Sequence, residues 1–530
     1  MSELFAAVRA AAALVRGGEL AQAPTLERPP RPEMGDYSTN AAMLLAPTLG
    51  EPPRDIAERL GDALAAALGH ALDRAEVAGP GFLNLHMADR WYLDSLGTAL
   101  EAGNEWGAGR PPRPERMLVE FVSANPTGPI TVAAGRHAAY GDALCRILAF
   151  AGHAVKREYY VNDHGSQVRL FGESIRARAL GEEPPEGGYH GAYVAELAGR
   201  IAEDGSADVD DLARRGVASM LEQAEATLRR FRVQVDRFFS ERTLHEENAI
   251  ARDLDMLEER GHVYRHEEAV WLRSTTLGDD KDRVLMRSSG ELTYFAADIA
   301  YHADKLARGY DRAIDVLGAD HHGYVARMRA AWQALGGDPD RIEFLIMQLV
   351  NLLEGGERVQ MSKRDGEFVS LDDLVDDIGV DAARWFLLQR SHETTLDVDL
   401  ALARSQSQDN PVYYVQYAHA RIASILRRAG EHKLGEVGPV TGAPLHPSAR
   451  LLVKRLLELP AEVEEAAARR APHRLTVYAH ETAQDFSAFY RDCKVLDTPD
   501  EHFRLALCIE AKAVIARCLD LLGVEAPEEM

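Results

Sequence analysis

Apolar residues recur at helical spacing through the first stretch of the chain, MSELFAAVRAAAALVRGGEL, and predict an opening helix. A proline-rich break from Ala23 to Pro32 follows. Gly35-Asp36-Tyr37-Ser38-Thr39-Asn40 then leads into a second helix reaching Pro47. A third begins at Pro52, where proline is tolerated because the first helical N–H groups have no partner. Val77 to Leu85 reads as a turn and then an alternating strand. Residues 1–86 therefore predict a small α+β domain. A linker over 87–114 follows, with a helix from Asp89 to Glu101 and a Gly/Pro-rich stretch from Gly107 to Pro114.

The texture changes at Met117-Leu118-Val119-Glu120-Phe121-Val122, a mostly apolar run of the kind buried in a parallel sheet. A loop rich in Asn, Pro and Gly turns into a helix that reaches Phe150, with Tyr140, Leu144, Ile147 and Leu148 on one face. With a further strand at Lys156 to Val161 this makes a βαβ unit. Later strands are expected near Val270 to Leu272, Ala313 to Leu317 and Ile342 to Ile346. The polar, helical segment from about 180 to 252 reads as an insertion between the two halves of the sheet. Towards the end of the chain only helical patterns remain. Stripes such as Leu452, Leu456, Leu459 and Val463, or Leu507, Ala511, Val514, Cys518 and Leu522, predict bundle core. The expected fold class is α/β multidomain. A doubly wound parallel-sheet (Rossmann-type) domain spans 115–405, between the small α+β N-terminal domain and an all-α C-terminal bundle over 406–530. The bundle is expected to be separable from the sheet domain.

Composition narrows the partners. A length of 530 residues suits several domains, and 46% hydrophobic with 27% charged residues is ordinary soluble composition. No apolar run approaches the roughly 20 residues of a membrane span, and the acidic, rhythmic N-terminus is unlike a signal peptide. A net charge of −24 excludes a generally basic surface, so a polyanion would have to meet a local patch. One candidate runs from Arg421 to Arg474, with ten Lys/Arg against six Asp/Glu. The four cysteines form no C-x-x-C pair and sit in apolar helical stretches, which predicts buried reduced thiols and a cytoplasmic location.

Two segments carry candidate chemistry. The run Ala124, Asn125, Pro126, Thr127, Gly128, Pro129, Ile130, Thr131, Val132, Ala133, Ala134 joins a parallel strand to a helix N-terminus, where backbone N–H groups and the helix dipole favour an anion such as a nucleotide phosphate. Gln360-Met361-Ser362-Lys363-Arg364-Asp365-Gly366 is a polar loop with two adjacent cations that could neutralise charge on departing diphosphate. Adjacent His321 and His322 have no cysteine near them, so no structural zinc is expected.

Together these segments resemble the paired H-I-G-H and K-M-S-K-S signatures of class I aminoacyl-tRNA synthetases. Further segments resemble the arginine-specific family along the whole chain: Gly35 to Asn40, Val77 to Asn84, Tyr160 to Gly165, Phe295 to Tyr301, Leu317 to Gly323, Asn410 to Arg421 and Leu521 to Pro527. The resemblance implies ATP-dependent attachment of L-arginine to tRNA(Arg), with ATP·Mg²⁺, arginine and tRNA as partners, no membrane, and a monomer. It places Lys363, Ser362, Arg364 and Thr131 in catalysis, and Glu120, Asn125, Tyr294 and Asp298 around the arginine. ATP falls to the run Ala124 to Ala134 with Gly318, Asp320, His321 and Met361. Transfer RNA falls to Tyr37, Asn40, Tyr413, Tyr417, Arg421 and Tyr490, with Tyr478 added in the bundle. The chemistry agrees, since a guanidinium wants carboxylates and planar acceptors in fork geometry.

The chain departs from the family pattern at its first signature. Where the family reads Pro-Leu-His-Val-Gly-His-Gly-Arg, this chain reads Pro129-Ile130-Thr131-Val132-Ala133-Ala134-Gly135-Arg136, without either histidine. Losing one such transition-state donor lowers a rate by about 10²–10³. Two readings follow: a working ligase with a weakened signature, in which His137 one turn further on could substitute, or an inactive relative that binds arginine, ATP or tRNA.

Overall fold

Five parallel strands organise the middle of the computed structural model, which describes residues 2–29, 31–202, 208–321, 323–359, 369–435, 437–441 and 444–530. In spatial order they are Ile342–Met347, Arg312–Gly318, Arg116–Glu120, Ala154–Val161 and Arg237–Ser240. Every neighbouring pair is parallel. The chain thus starts in the middle of the sheet, builds outward one way, and returns to build the other way. That leaves a topological switch point between Arg116–Glu120 and Arg312–Gly318, and the crevice beyond their carboxyl ends is where such sheets take ligands. Helix Val132–Phe150 packs close to the first strand because residue 141 is glycine; a Cβ there would lie 2.2 Å from Phe121.

Two expectations about this sheet need correcting. Arg237–Ser240 is an edge strand of it, although it lies within the segment 180–252 expected to be a helical insertion. Only Phe238 and Phe239 are apolar there, too few to show a period. Val270 to Leu272 lies outside the parallel sheet, in the antiparallel trio Val263–His266, Ala269–Leu272 and Arg283–Met286. A short apolar run does not reveal which kind of sheet will receive it. That trio, with helices Glu241–Glu246, Ala249–Glu259 and Tyr294–Ala307, separates the two halves of the sheet. Helices Ser166–Ala179, Ala192–Ile201 and Val209–Arg230 connect the second strand to the edge strand around their own core, including Phe171, Ile175, Leu197 and Leu212.

The N-terminal unit is a three-stranded antiparallel sheet, Tyr37–Thr39, Phe82–Met87 and Leu72–Ala78, with helices Ser2–Arg16, Ala41–Leu49 and Pro53–Leu68. The second helix runs through Pro47 to Leu49 instead of stopping there. The C-terminal unit is helical, its longest members being Pro411–Ala429, His473–Asp492 and Glu501–Leu522. The stripe from Leu452 to Val463 is divided between helices Pro447–Leu456 and Leu459–Ala468, with its four leucine and valine side chains buried.

This bundle is bolted to the sheet domain. Arg384, fully buried, donates to the carbonyl of Leu522 (2.8 Å), to that of Phe231 (2.8 Å) and to Asp142 (2.7 Å). Gly523 caps helix Glu501–Leu522 at φ 69°, and a Cβ there would fall 2.3 Å from the Arg384 guanidinium carbon. Tyr140 donates to the carbonyl of Arg470 (2.5 Å), and Gln416 bridges Asp381 (2.8 Å) and the carbonyl of Glu525 (2.9 Å).

Candidate active site

The first strand ends at Glu120, and the chain then turns sharply. Val122 (φ 71°) and Ser123 (φ 40°) are in the left-handed region, which is strained for a β-branched residue and clusters at functional turns. Ser123 fastens the turn: its Oγ accepts from the Tyr160 N–H (3.1 Å) and donates to Glu120 Oε1 (2.8 Å). The loop beyond is held by tyrosines, with the Tyr159 hydroxyl on the Ala124 carbonyl (2.8 Å) and the Tyr193 hydroxyl on that of Thr127 (2.7 Å).

A cavity of about 470 Å³ opens at the switch point. It gathers the four candidate arginine residues, Glu120, Asn125, Tyr294 and Asp298, and also Gly318, Asp320 and His321. Tyr294 and Asp298 share one face of helix Tyr294–Ala307, as a spacing of four requires. His137, the possible substitute for the missing histidines, lines it too, and further lining residues were not anticipated: Asn162, Gln167, His302, Asp315 and Tyr324.

Beneath the cavity lies an ion-pair network that sequence reasoning missed. Lys305, 1% exposed, reaches Glu120 Oε2 (2.5 Å) and Asp315 Oδ1 (2.7 Å). His302 holds the other Asp315 oxygen (2.9 Å) and faces the Asp298 carbonyl (2.7 Å) with its second nitrogen. Burial would raise the Asp315 carboxyl, but the Lys305 ammonium and the His302 hydrogen bond keep it well below its ordinary range. Glu120 is thus a buried ion-pair partner and a wall of the cavity at once. Asp298 is half-buried, and burial lifts its carboxyl to about 6, against opposing pulls from His302 and the Tyr324 hydroxyl. Glu120 and Asp315 share the one lysine ammonium, and Asp298 lines the same cavity without a share in it, an imbalance that favours a cationic ligand.

The nucleotide-side candidates divide. Of the run Ala124 to Ala134, Asn125 lines the cavity, while Pro126, Thr127, Ile130 and Val132 are buried and Ala133 is exposed. Thr131 is the N-cap of helix Val132–Phe150, its Oγ accepting from the Ala134 N–H (3.3 Å). Its oxygen supports the helix, and only its O–H is left to donate. His137 faces the cavity, and burial holds its imidazole down at about 4, so at neutral pH it is an uncharged donor. Arg136 serves structure: fully buried, it donates to the carbonyls of Gln348 (2.7 Å), Ser391 (2.8 Å) and Thr394 (3.0 Å). Met361, Ser362, Lys363 and Arg364 lie outside the described residues. The segment that follows them is tied to the first signature, Val132 N–H bonding the Val369 carbonyl (3.2 Å) and Leu371 N–H that of Ile130 (2.7 Å).

In the bundle, Tyr413 and Tyr417 stack with ring centroids 6.2 Å apart, and the Arg421 guanidinium lies over Tyr417 (4.7 Å) and Tyr490 (5.4 Å). Tyr417, Arg421 and Tyr490 share a second cavity with Arg427 and Arg428. Two other tRNA candidates, Tyr37 and Tyr478, are corrected. Tyr37 is buried, edge-on to Trp91 and under the Lys454 ammonium, so it offers no surface to an RNA. Asn40 is half-buried, its carbonyl oxygen accepting from the Thr25 N–H (2.9 Å) and its amide N–H groups left over for an RNA. Tyr478 is core, donating to the Arg455 carbonyl (2.6 Å). The basic patch shrinks too, because Arg450, Lys454, Arg455, Arg470 and Arg474 are all engaged by carboxylates.

Three family models cover most of the chain: arginyl tRNA synthetase N terminal domain over residues 2–87, tRNA synthetases class I (R) catalytic domain over 194–418, and DALR anticodon binding domain over 415–530. A curated arginine–tRNA ligase from Frankia alni is 46% identical over 524 residues, spanning 96% of this chain and 94% of that one. The chain belongs to the arginyl-tRNA synthetase family. Among solved structures, the Thermus thermophilus arginyl-tRNA synthetase is 26% identical with a TM-score of 0.79, covering 100% of both chains. The Plasmodium falciparum arginyl-tRNA synthetase, 16% identical with a TM-score of 0.77 over 100% of this chain and 99% of that one, shares the fold. The fold expected from sequence, a Rossmann-type sheet between an α+β domain and a helical bundle, is the fold of this synthetase family.

Proposed function

We infer that the chain joins L-arginine to tRNA(Arg), using ATP. The arginine carboxylate attacks the α-phosphorus, diphosphate leaves, and the resulting arginyl-adenylate passes its acyl group to the tRNA with release of AMP. The observation that carries this reading is the cavity at the sheet's switch point, lined by Glu120, Asp298, Asp315 and Asp320, of which the Lys305 ammonium pairs with Glu120 and Asp315 alone. Glu120 and Asp298 are assigned to the guanidinium, with Asn125 and Tyr294 orienting the substrate. Gly318, Asp320, His321 and the loop from Ala124 to Ala134 are assigned to ATP. Mg²⁺ is assigned to the ATP phosphates and water and not to a protein cage. Thr131 and the segment Met361 to Arg364 are assigned to the phosphates. The backbone bonds between Ile130–Val132 and Val369–Leu371 join the first signature to the stretch after residue 368.

The tRNA is assigned to Tyr413, Tyr417, Arg421 and Tyr490, since unpaired bases stack on aromatic rings and guanidinium planes. The domain bounds proposed for these roles are 1–86, 87–114, 115–405 and 406–530. A cytoplasmic monomer is proposed, in keeping with four buried unpaired cysteines; no helix among the described residues is long and apolar enough to cross a membrane.

Purified protein with ATP, Mg²⁺, arginine and tRNA should form arginyl-tRNA. Lys363→Ala should lower the rate sharply with little change in arginine binding, because that cation acts as charge develops. Glu120→Gln should raise the arginine KM by about 100-fold or more while ATP binding is kept, a loss on the scale of breaking a buried ionic contact. Native protein no faster than Lys363→Ala would sink the ligase reading, and a normal arginine KM for Glu120→Gln would sink the pocket assignment alone.

A further inference from the structure

Beside the loop that follows strand Ala154–Val161 lies a cluster that the arginylation site does not use. A ring nitrogen of His164, one of His245 and a carboxylate oxygen of Glu241 all lie within 4.8 Å of one another. Glu241 and His245 are four apart on helix Glu241–Glu246 and so project from one face. His164 comes from the loop, its imidazole stacked on that of His245 at 3.7 Å between centroids and 20° between planes. Glu241 is 4% exposed. His245 Nε2 is shut off from solvent, has no hydrogen-bond partner among the described residues, and stands 3.6 Å from Glu241 Oε1. An orphaned buried nitrogen between a carboxylate and a second imidazole is destabilising unless something electropositive fills the gap.

The surrounding charges leave room for a cation. Arg242 is the nearest positive group, and it is occupied: its guanidinium donates to the Asp163 carbonyl (2.7 Å) and its N–H to Asp163 Oδ1 (2.9 Å). The other Asp163 oxygen takes the Ser240 hydroxyl (2.6 Å), so Asp163 is committed to fixing the loop. Glu241 has no Lys or Arg ion-pair partner among the described residues, only His245 beside it.

We propose that His164, Glu241 and His245 bind one divalent transition-metal ion of the zinc type, with water completing the coordination. Two imidazoles and one carboxylate match zinc and its neighbours, whereas calcium and magnesium need more oxygen ligands. The ion would pin the loop 162–165 to helix Glu241–Glu246. Asn162 and Gln167 line the neighbouring cavity, while the three ligands do not.

The test uses tag-free full-length protein stripped with a chelator and titrated with Co²⁺, then Zn²⁺. One Co²⁺ per chain should bind with visible ligand-field absorption, Zn²⁺ should displace it, and Zn²⁺ should raise the Tm by mass action. His245→Gln and His164→Ala should each weaken binding by more than about 100-fold, the upper end of what losing an outer-sphere partner does. If His245→Gln fails to fold, the loop variant His164→Ala carries the comparison. Absence of stoichiometric binding by the unaltered protein, or binding that survives His164→Ala, overturns the proposal. Neither outcome touches the arginylation reading, which needs no ion at this place.

Discussion

Asp298 lines the cavity assigned to the guanidinium, with a carboxyl lifted to about 6 by burial. Because the folded value lies above 3.8, Asp298 destabilises the fold above about pH 6, and that penalty is relieved as the pH falls through 6 towards 3.8. The same protonation removes a negative charge from the cavity. The arginine KM should therefore rise as the pH is lowered from 7.5 to 5.5, while the ATP KM stays level; Asp298→Asn should flatten the profile. His137 tests the missing motif histidines. If its imidazole supplies a donor that Thr131 and Ala134 do not, His137→Ala should slow ATP–diphosphate exchange by about 10–100-fold, with substrate KM values nearly unchanged. An exchange rate equal to that of the unaltered protein would show that the loop works without any imidazole. At this scale Glu120 and Asp298 were legible because they sit within recognisable segments. Lys305 was not, since it meets Glu120 across 185 positions of sequence and only the fold brings them together. Tyr37 and Tyr478 misled for the opposite reason: an aromatic ring in an amphipathic stretch looks the same whether it faces RNA or core.

Among the elements, strands that carry long apolar runs were easy to see. Met117 to Val122 needed no more than its composition, while Arg237–Ser240 gave no period and passed for part of a helical insertion. The sequence pattern ends the second helix at Pro47, whereas the stop is Gly50, in the left-handed region at φ 69°. Gly523 shows why such a glycine matters beyond the turn, since its left-handed backbone places the Arg384 guanidinium where any side chain would sit. Gly523→Ala should lower stability by roughly 1–3 kcal/mol, combining backbone strain with a displaced buried side chain. Urea unfolding would measure it; an unchanged midpoint would mean that Arg384 moves aside freely.

For the whole molecule, the sequence suggested a bundle that could be cut away, and the structure gives a different expectation. Arg384 and Tyr140 donate to the Leu522 and Arg470 carbonyls, and Asp381 accepts from Gln416. Deleting residues 410–530 would leave a fully buried guanidinium facing water and bare the apolar side of helix Leu371–Leu388. The truncated chain should aggregate or melt well below the full chain in calorimetry, instead of surviving as an ATP-binding domain. A soluble fragment with a sharp transition would restore the modular view.

The same bolt governs the order in which the chain can fold. The Arg384–Leu522 contact spans 138 positions and the Asp142–Arg384 pair spans 242. Contacts so distant are paid for in loop entropy before they return anything, and they slow folding. When Arg384 is synthesised, the Asp142 carboxylate and the Phe231 carbonyl already exist, but the Leu522 carbonyl is still 138 positions away. Until that stretch is made, one bond of the buried guanidinium is unmet and the apolar surface that the bundle covers is bare, which is the kind of surface chaperones hold.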